Sequence, residues 1–477
     1  MPDTNDDREI RLSEVIAALS YALDLTEGQP MGHAVRSCVI GMRVAAELDL
    51  PAEERSALFY ALLLKDAGCS SNAAKISALF AADDRAVKYD RKLTQWPKRS
   101  ESLRHVARTA RPGGSPLARA RQVLAVSRGG AESSRELTEL RCERGADIAL
   151  RLGLPTPTAE AIRGLDEHWD GGGYPSGLEG DAAPLLARIL GLAQTVEVYC
   201  TSYGPAAARA MAEERSGTWF DPSLVDALRA FAGDNEFWSS LPAKRSAAHV
   251  AALEPEDRVM TADDEALDRV AWAFATVVDA KSPWTFRHSK NVADLAVGMG
   301  EVLDLSSDRV RCLGRAALLH DIGKLGVSNL ILDKPGRLDA EEWEAVRRHP
   351  EHTKVVLDRV AGFRSIAETA ASHHERLDGS GYHRGLTEGD LSLDARILAV
   401  ADVCEALSAA RPYRPALSSE EVAEIMSRDV GKKLCAVSYS ALQVHLGGAP
   451  SSARVAGPPV PDLSASPALS LVFPRGP

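Results

Sequence analysis

The feature that most constrains the fold of this 477-residue chain is an internal repeat. His33 and His288 are 255 positions apart, and the same separation joins Asp66 to Asp321. Beyond a basic stretch in the first half the separation becomes 208, and it relates Glu167 to Glu375, Asp170 to Asp378, Tyr174 to Tyr382, and Arg188 to Arg396. Self-similarity at a constant separation is typical of a duplicated structural unit. We therefore predict two copies of one domain, the first enlarged by 47 residues, which is the difference between the separations.

The periodicity of apolar residues predicts helices in both copies. Apolar side chains recur at intervals of three and four residues, whereas alternating strand patterns are sparse. We predict an all-α fold with two tandem helical-bundle domains, at 8–245 and 265–446, joined by a linker at 246–264. The tail at 447–477 is rich in Pro, Ser, Ala and Gly. We expect it to be disordered, because it cannot bury enough apolar surface to offset its ordering entropy.

A basic stretch at 85–144 accounts for the enlargement of the first copy. It carries fifteen Lys and Arg against six Asp and Glu, with few large apolar residues and an R-P-G-G-S-P break at 111–116. Charge runs of this kind are usually solvated. Two interpretations stay open: a solvated helical or partly disordered insertion, or a basic surface that docks another molecule.

Composition limits the class of protein. The content of 45% hydrophobic and 26% charged residues is ordinary for a soluble globular protein, and the net charge of −11 argues against general affinity for nucleic acid or membrane surfaces. The beginning, M-P-D-T-N-D-D-R-E, shows no secretory signal, and no apolar run approaches the length of a spanning helix, about 18 residues. Seven scattered cysteines without a C-x-x-C motif indicate reduced thiols. We expect a cytoplasmic protein, and a homodimer stays open.

Seven imidazole and carboxylate side chains in the second copy are candidate metal ligands. They come from what should be five helices, and they are His288, His320, Asp321, His349, His373, His374 and Asp402. Neighbours on a helix point about 100° apart, so the pair His373-His374 suits two ions a few ångströms apart. Mixed imidazole and carboxylate ligands favour Fe, Mn, Zn or Co over Ca or Mg, and two such ions form a common centre for phosphoester cleavage. Taken singly, Asp402 could serve a helix–helix hydrogen bond, and His349 could simply end a helix.

Three motifs together carry a family resemblance: H-D-I-G-K at 320–324, H-H-E-R-L-D-G-S-G-Y-H at 373–383, and A-D-V-C-E-A-L-S-A-A-R-P-Y-R at 401–414. Over about residues 265–430 the chain resembles the HD-GYP family of bacterial cyclic di-GMP phosphodiesterases. The resemblance implies that both helical bundles are of the HD type. It also implies that the second copy hydrolyses cyclic di-GMP.

The resemblance implies roles for individual residues. The seven candidate ligands would hold two divalent metal ions, Fe or Mn first, with Zn, Co or Ni as alternatives. Asp321 would bridge the ions and position the nucleophile, and Lys324 would lie beside the substrate phosphate. Arg411 and Arg414 would bind the phosphates, although two surface arginines are the alternative interpretation.

Some positions depart from the family pattern. Trp284 stands where some members carry a Glu that holds a third metal, so we expect two metals. His383 replaces the Pro of the G-Y-P loop, and Thr353 stands where a Gly is usual. The resemblance implies that this loop contacts partners, so we expect a protein such as a diguanylate cyclase domain to bind at loops 381–383 or 170–175. Two alternatives stay open: a sensing or scaffolding protein with weak turnover, or a phosphohydrolase of another cyclic nucleotide.

The first copy keeps few of the candidate ligands. His33 and Asp66 are retained, while the other five positions carry Lys65, Arg141, Leu165, Asp166 and Gln194. Cations stand where metal ions would bind, so we expect no metal centre there. The loop D-G-G-G-Y-P at 170–175 is intact. We predict that the first copy is a catalytically inactive packing or regulatory domain.

Overall fold

The computed structural model describes residues 10–96, 98–241, 250, 252–256, 259–411 and 414–447. Within these ranges every regular element is an α-helix or a short 3-10 helix, and β-structure is limited to isolated bridges. The predicted all-α fold is therefore confirmed. No helix in these ranges combines the length and apolarity needed to cross a lipid bilayer. The predicted disordered tail lies outside the described residues except for Gly447, as does part of the predicted linker.

The chain divides into two compact units. The first consists of Met1–Leu267, Leu325–Leu332 and Val356–Arg364. The second consists of Asp268–Lys324, Asp333–Val355 and Ser365–Pro477. Two short segments from the C-terminal half thus group with the first unit, and the repeat in the sequence does not predict this grouping.

The N-terminal half folds into a bundle centred on one helix. The described helices are α1 (Leu12–Thr26), α2 (His33–Glu47), α3 (Ala52–Leu64), α4 (Ala73–Phe80), α5 (Asp84–Leu93), α6 (Arg99–Thr109), α7 (Pro116–Arg151), α8 (Thr156–Arg163), α9 (Leu185–Tyr203), α10 (Pro205–Glu214), α11 (Pro222–Ala230) and α12 (Asn235–Ser240). Helix α2 packs against α1, α3 and α9, which bury most of their side chains. The long α7 bends at Gly130, whose φ of 54° is in the region that favours glycine.

The C-terminal half repeats this plan. Its described helices are α13 (Asp264–Asp279), α14 (His288–Val302), α15 (Ser307–Leu319), α16 (Asn329–Leu332), α17 (Ala340–Arg347), α18 (His349–Leu357), α19 (Arg364–Ala371), α20 (Leu393–Ser408), α21 (Ser419–Ser427) and α22 (Ala436–Gly447). Within the second unit, α14 packs against α15, α20 and α22. Helix α14 is therefore the counterpart of α2, and α20 the counterpart of α9.

A buried carboxylate fixes the start of the central helix in each half. Asp24 accepts hydrogen bonds from three successive backbone N–H groups at the start of α2. Asp279, its counterpart at the separation of 255, accepts from the N–H and hydroxyl groups of Ser289 in the first turn of α14. The free N–H groups of a helix start favour an anion. These caps set the positions of His33 and His288, the first residues of the two helices.

Two backbone approaches show that the copies share a fold. A Cβ on Gly68 would lie 1.8 Å from the carbonyl oxygen of Arg141, and a Cβ on Gly323 would lie 2.0 Å from that of His349. These pairs correspond at the separations 255 and 208. In both copies the HD-like motif can therefore pack closely against the helix that carries Arg141 or His349 only because the motif contains a glycine.

The two G-Y-P-like loops also close in the same way. The Glu167 carboxylate accepts hydrogen bonds from two loop N–H groups at 2.7 and 2.9 Å, and Glu375 accepts from the two corresponding groups at 2.8 and 2.9 Å. His383 stands in the second loop in place of Pro. The replacement leaves this closure intact.

The basic stretch at 85–144 forms helices with a core of their own. It contains α5, α6 and most of α7. A cluster of buried apolar residues joins these helices to α4, and its members are Ile76, Phe80, Ala82, Val87, Val106, Ala110 and Val126. The stretch is therefore helical, as one interpretation proposed, but it is not merely a solvated face. A few small apolar residues spaced along amphipathic helices suffice to build this core.

Replacing Gly323 by Ala is expected to destabilise the second unit. The added methyl group would overlap the His349 carbonyl oxygen and approach the Thr353 nitrogen at 2.8 Å, and both are backbone atoms that cannot rotate away. Overpacking of this kind costs about 1–3 kcal/mol or more. Thermal unfolding should show a lowered midpoint. Gly336→Ala is the matched control, because a Cβ there meets nothing within 4 Å; equal midpoints for the two variants would contradict the packing described.

Candidate metal centre

The second unit brings all seven candidate ligands together. His288 begins α14, and His320 and Asp321 directly follow α15. The other four come from the start of α18, the turn after α19 and the middle of α20, and they are His349, His373, His374 and Asp402. Six of the seven side chains are buried, and His374 is partly exposed.

The Asp321 carboxylate lies at the centre of this group. Its Oδ2 atom is 3.4 Å from Nε2 of His288 and 3.4 Å from Nε2 of His320. Its Oδ1 atom is 3.2 Å from Nε2 of His349 and 3.6 Å from Nε2 of His373. The two oxygens of one carboxylate thus face two different sets of imidazoles. This arrangement is the one required of a carboxylate that bridges two cations.

Asp402 closes the other side of the site. Its Oδ1 atom lies 3.4 Å from His288 and 3.8 Å from His320, while Oδ2 lies 3.6 Å from Nδ1 of His374. Two groups of three residues offer ligand atoms within 4.8 Å of one another: His288, His320 and Asp321 in one, and His349, His373 and His374 in the other. The vicinal histidines therefore join one group, whereas His320 and Asp321 join the other.

Three of the imidazoles are oriented by the helices that carry them. Nδ1 of His320, His349 and His373 hydrogen-bonds to the carbonyl oxygen three residues earlier, at 2.7, 2.7 and 2.6 Å. This bond fixes the tautomer and directs Nε2 into the site, as is usual for histidines that bind metals. Within the part of the chain that the structure describes, Nε2 of His320 and Oδ1 of Asp321 are buried without a hydrogen-bond partner. Buried polar atoms normally have a partner, and a bound cation would supply it.

The electrostatics of the site also suit cations. Burial, assisted by neighbouring imidazoles, lowers the pKa of His373 and of His374 well below the ordinary value, and burial lowers the pKa of His349. These rings are therefore neutral and have lone pairs available. Although burial opposes it, the charges of His320 and Lys324 hold the pKa of Asp321 well below its usual range. The donor set thus includes neutral imidazoles at His349, His373 and His374 and the ionised Asp321 carboxylate, donor types that divalent transition metals prefer. At His288, although burial opposes it, hydrogen bonds to acidic side chains raise the pKa well above its ordinary value, so a cation would displace a proton from that ring.

Sequence reasoning missed one residue of the site, Glu405. Its carboxylate forms a short hydrogen bond with Nδ1 of His288 and an ion pair with Arg411 at 3.5 Å. The repeat contained a signal for it, because Glu197 lies 208 positions earlier and forms the same short bond with Nδ1 of His33. A carboxylate behind an imidazole orients the ring and raises its basicity as a ligand.

The predicted phosphate-binding residues differ in the contacts that their side chains already make. The Lys324 amine pairs with Asp321 at the edge of the site. Arg411 donates to the carbonyl oxygen of Trp284 at 3.3 Å. Arg414 donates to the backbone carbonyl oxygens of Ala406 and Leu407, in the last turn of α20, and to that of Pro415 beyond it. The Arg414 guanidinium therefore already supports a helix end, and its role in phosphate binding stays a prediction.

Thr353, which stands where the family usually has Gly, contributes a structural contact. Its hydroxyl donates to the carbonyl oxygen of His320 at 2.8 Å and accepts from the N–H group of Gly323 at 3.1 Å. Thr353 thus adds two hydrogen bonds to the backbone of the H-D-I-G-K motif.

The Tyr382 ring contacts the partly exposed candidate ligand His374, with the ring centroids 4.7 Å apart.

In the first unit, side-chain cations occupy the corresponding positions. Asp66 pairs with the amines of Lys65 and Lys92, and Lys92 also pairs with Glu27 at 2.9 Å. Glu27, Asp66 and Cys69 could by distance form a ligand group, but the Lys92 amine already neutralises both of its carboxylates. The absence of a metal centre in the first unit stays a prediction.

Comparison with known proteins gives a consistent picture. The HD domain family model matches residues 123–224 and 273–434. A 3′3′-cGAMP-specific phosphodiesterase of Vibrio cholerae is 41% identical over 436 residues, which is 91% of this chain and 94% of that protein. A cyclic di-GMP phosphodiesterase of Pseudomonas aeruginosa is 39% identical over 145 residues, 30% of this chain and 35% of that protein. A crystal structure of a cyclic GMP-AMP specific phosphodiesterase from V. cholerae covers 93% of this chain and 99% of its own, with a TM-score of 0.64 and 36% identity.

Replacing Glu405 by Gln is expected to weaken metal binding without unfolding the protein. The amide keeps the size of the side chain but no longer places a negative charge behind His288. Loss of such a supporting carboxylate typically costs about 10–100-fold in metal affinity. Competition with a chelator for Mn(II) measures this affinity. Glu420→Gln, on the exposed first turn of α21, is the control. Equal metal affinities in the two variants would show that Glu405 does not support metal binding.

A matched pair of histidine variants compares the two units. His288→Gln should lower the metal content of anaerobically purified protein from about two ions per chain, because it removes a ligand beside the bridging carboxylate. His33→Gln, the counterpart 255 positions earlier, should leave the content unchanged, because lysines neutralise Asp66. Elemental analysis measures both. A loss of metal in His33→Gln would show that the first unit also binds an ion.

Proposed function

Because this chain belongs to the HD-domain family, as an HD-GYP protein, we propose that its second unit hydrolyses a phosphodiester bond of a cyclic dinucleotide at a two-metal centre. The observation that carries the proposal is the position of Asp321, whose two carboxylate oxygens face two separate groups of imidazoles. His288, His320, His349, His373, His374 and Asp402 would complete the coordination. The mixed donor set favours Fe or Mn, with Zn, Co or Ni as alternatives.

The chemistry divides between the ions and the side chains. When bound, two divalent ions would stabilise charge on the phosphate and lower the pKa of a water molecule. Asp321 fixes the spacing of the two coordination groups and orients the nucleophile. The neutral rings of His349 and His373 can bind a cation without first losing a proton. Lys324, at the edge of the site, is placed to neutralise developing charge on a phosphate oxygen.

The arginines would then contribute to substrate binding. Arg411 pairs with Glu405 and therefore lies directly behind the His288 side of the site. A guanidinium there would attract the second phosphate of a cyclic dinucleotide. For Arg414 the same role requires its guanidinium to leave the backbone carbonyls that it now contacts. We therefore propose Arg411 as the principal phosphate-binding arginine.

For the substrate we propose 3′3′-cGAMP, with cyclic di-GMP as the second candidate. The cGAMP-specific relative matches 91% of this chain and so extends through both units, whereas the cyclic di-GMP phosphodiesterase of P. aeruginosa matches 30%. Similarity that includes the first unit favours the substrate of the full-length relative. The metal centre itself does not distinguish the bases, because it would act on the phosphate.

Asp321→Asn is expected to reduce hydrolysis by at least about 100-fold and to lower the metal content. The neutral amide cannot serve two cations as a shared anion. The measurement is product formation from 3′3′-cGAMP and from cyclic di-GMP, with Fe(II)- or Mn(II)-loaded protein. The wild type should cleave 3′3′-cGAMP with the higher kcat/KM.

Two outcomes would contradict the proposal. Unchanged turnover in Asp321→Asn would overturn the assignment of the site. A metal-loaded wild type that binds both dinucleotides but cleaves neither would replace the enzyme with a sensing or scaffolding protein. Faster cleavage of cyclic di-GMP would keep the enzyme and reverse the substrate proposal.

A further inference from the structure

The first unit contains a cavity of about 640 Å³ where its metal centre would have been. Its lining includes Arg141, Leu165, Asp166 and Gln194, which the repeat aligns with metal ligands of the second copy. A volume of this size is within the range of small-molecule binding sites, about 300–1,000 Å³. The first unit therefore has a cavity, at positions that align with the metal ligands of the second copy, that is large enough for a small molecule.

One wall of the cavity is aromatic. The rings of Trp96 and Tyr174 stack with centroids 4.7 Å apart and an interplanar angle of 14°. The rings of His168 and Trp219 stack at 4.3 Å and 23°, and Trp96 also lies 4.8 Å from His168. All four rings line the cavity, and Trp96, Tyr174 and Trp219 remain partly exposed. Guanidinium groups lie over three of these rings: Arg91 over Trp96, Arg135 over Tyr174 and Arg215 over Trp219, at 4.9, 5.7 and 4.3 Å from the ring centroids. A base that displaces one of these groups would gain an aromatic face of the kind on which nucleic-acid bases stack.

The cavity also contains a cation without an acidic partner. Lys92 and Arg141 line it too, but they pair with Glu27, Asp66 and Asp166. The guanidinium of Arg91, in contrast, forms no hydrogen bond or ion pair with any residue that the structure describes, and it lies 4.9 Å from the centroid of the Trp96 ring. Burial lowers the pKa of Arg91 below its usual value. A desolvated guanidinium beside an aromatic wall attracts an anion, phosphate above all.

Three buried polar side chains in the lining have atoms without a hydrogen-bond partner among the described residues. They are Oδ1 of Asn72, Nδ1 of His168 and Oε1 of Gln194, on residues that are 4%, 6% and 6% exposed. Leaving such a group unpaired costs about 1–3 kcal/mol. A ligand that offers both donors and acceptors would remove this cost. The edge of a purine base has both.

We propose that this cavity binds a purine nucleotide, with the base against the aromatic wall and a phosphate at Arg91. Three features of the cavity point to the same ligand class: aromatic rings, a guanidinium outside any ion pair among the described residues, and polar atoms without a partner there. Trp96 and Arg91 both come from the basic stretch 85–144, in which the first copy is enlarged relative to the second. The basic stretch thus supplies both the aromatic ring and the cation that the proposed site needs. The proposal does not depend on catalysis in the second unit.

Calorimetric titration of the full chain tests the proposal, with GMP, AMP and 3′3′-cGAMP as probes. The titrations use the Asp321→Asn protein in the presence of EDTA, so that no substrate is cleaved. Arg91→Gln and Trp96→Leu should each raise the Kd of the best probe by about tenfold or more, the scale of one stacked base or one charged contact. Guanosine and inorganic phosphate, the two halves of GMP, should each bind more weakly than GMP.

Controls separate binding from folding and from the second unit. Trp96→Phe keeps an aromatic face, and it should bind within about threefold of its parent. Arg229→Gln, which changes an exposed side chain on α11 outside the cavity, should leave the Kd unchanged. Arg411→Gln should leave this binding intact, because that residue belongs to the second unit. The thermal midpoint of each variant verifies its fold.

Specific outcomes would overturn the proposal. Absence of binding for all three probes at millimolar concentration would do so. So would binding that Arg411→Gln removes while Arg91→Gln does not, since the nucleotide would then occupy the second unit. Phosphate that binds as tightly as GMP would show an anion site without base recognition. Among the probes, the tightest one distinguishes a mononucleotide site from a site for a cyclic dinucleotide.

Discussion

The second unit depends on a single carboxylate, Asp321, which is fully buried among imidazoles. An ionised carboxylate in such a place is costly unless cations or hydrogen bonds compensate it. Here His288 and His320 approach one oxygen and His349 and His373 approach the other. The helices around it are placed so that these four rings can converge. The fold of the second unit thus places the Asp321 carboxylate among imidazoles that can bind cations.

In the first unit, amines of the chain itself balance the corresponding carboxylate. Asp66 occupies the position of Asp321, but Lys65 and Lys92 neutralise it directly. The supporting contacts persist, since His33 still bonds Glu197 as His288 bonds Glu405. The two units thus share these supporting contacts, while in the first unit lysines of the same chain balance the enclosed charge. Four of the positions that align with ligands of the second copy line the cavity.

Much of the fold and of the site could be read from the sequence. Apolar periodicity predicted helices, because a helix buries one face. The two constant separations predicted the repeat, because corresponding residues of two similar units stand at a fixed distance along the chain. All seven candidate ligands converge as the motifs indicated. Glu405 was missed because a lone Glu on a helix has no distinguishing neighbours, although its counterpart Glu197 offered a signal. The core of the 85–144 stretch was missed because its charged residues outnumber the few apolar ones that the helices bring together.

The sequence by itself determined the helical class, the duplication, and which copy retains ligands for metal ions. These properties follow from residue type and spacing, which are local. Only the tertiary structure decided that the two oxygens of Asp321 face different imidazole groups, that Lys92 reaches Asp66 from an inserted helix, and that aromatic rings distant in sequence form one wall. The physical reason is that charge compensation and cavity shape depend on distances between side chains from separate helices. Such distances are set by packing, which residue order does not express.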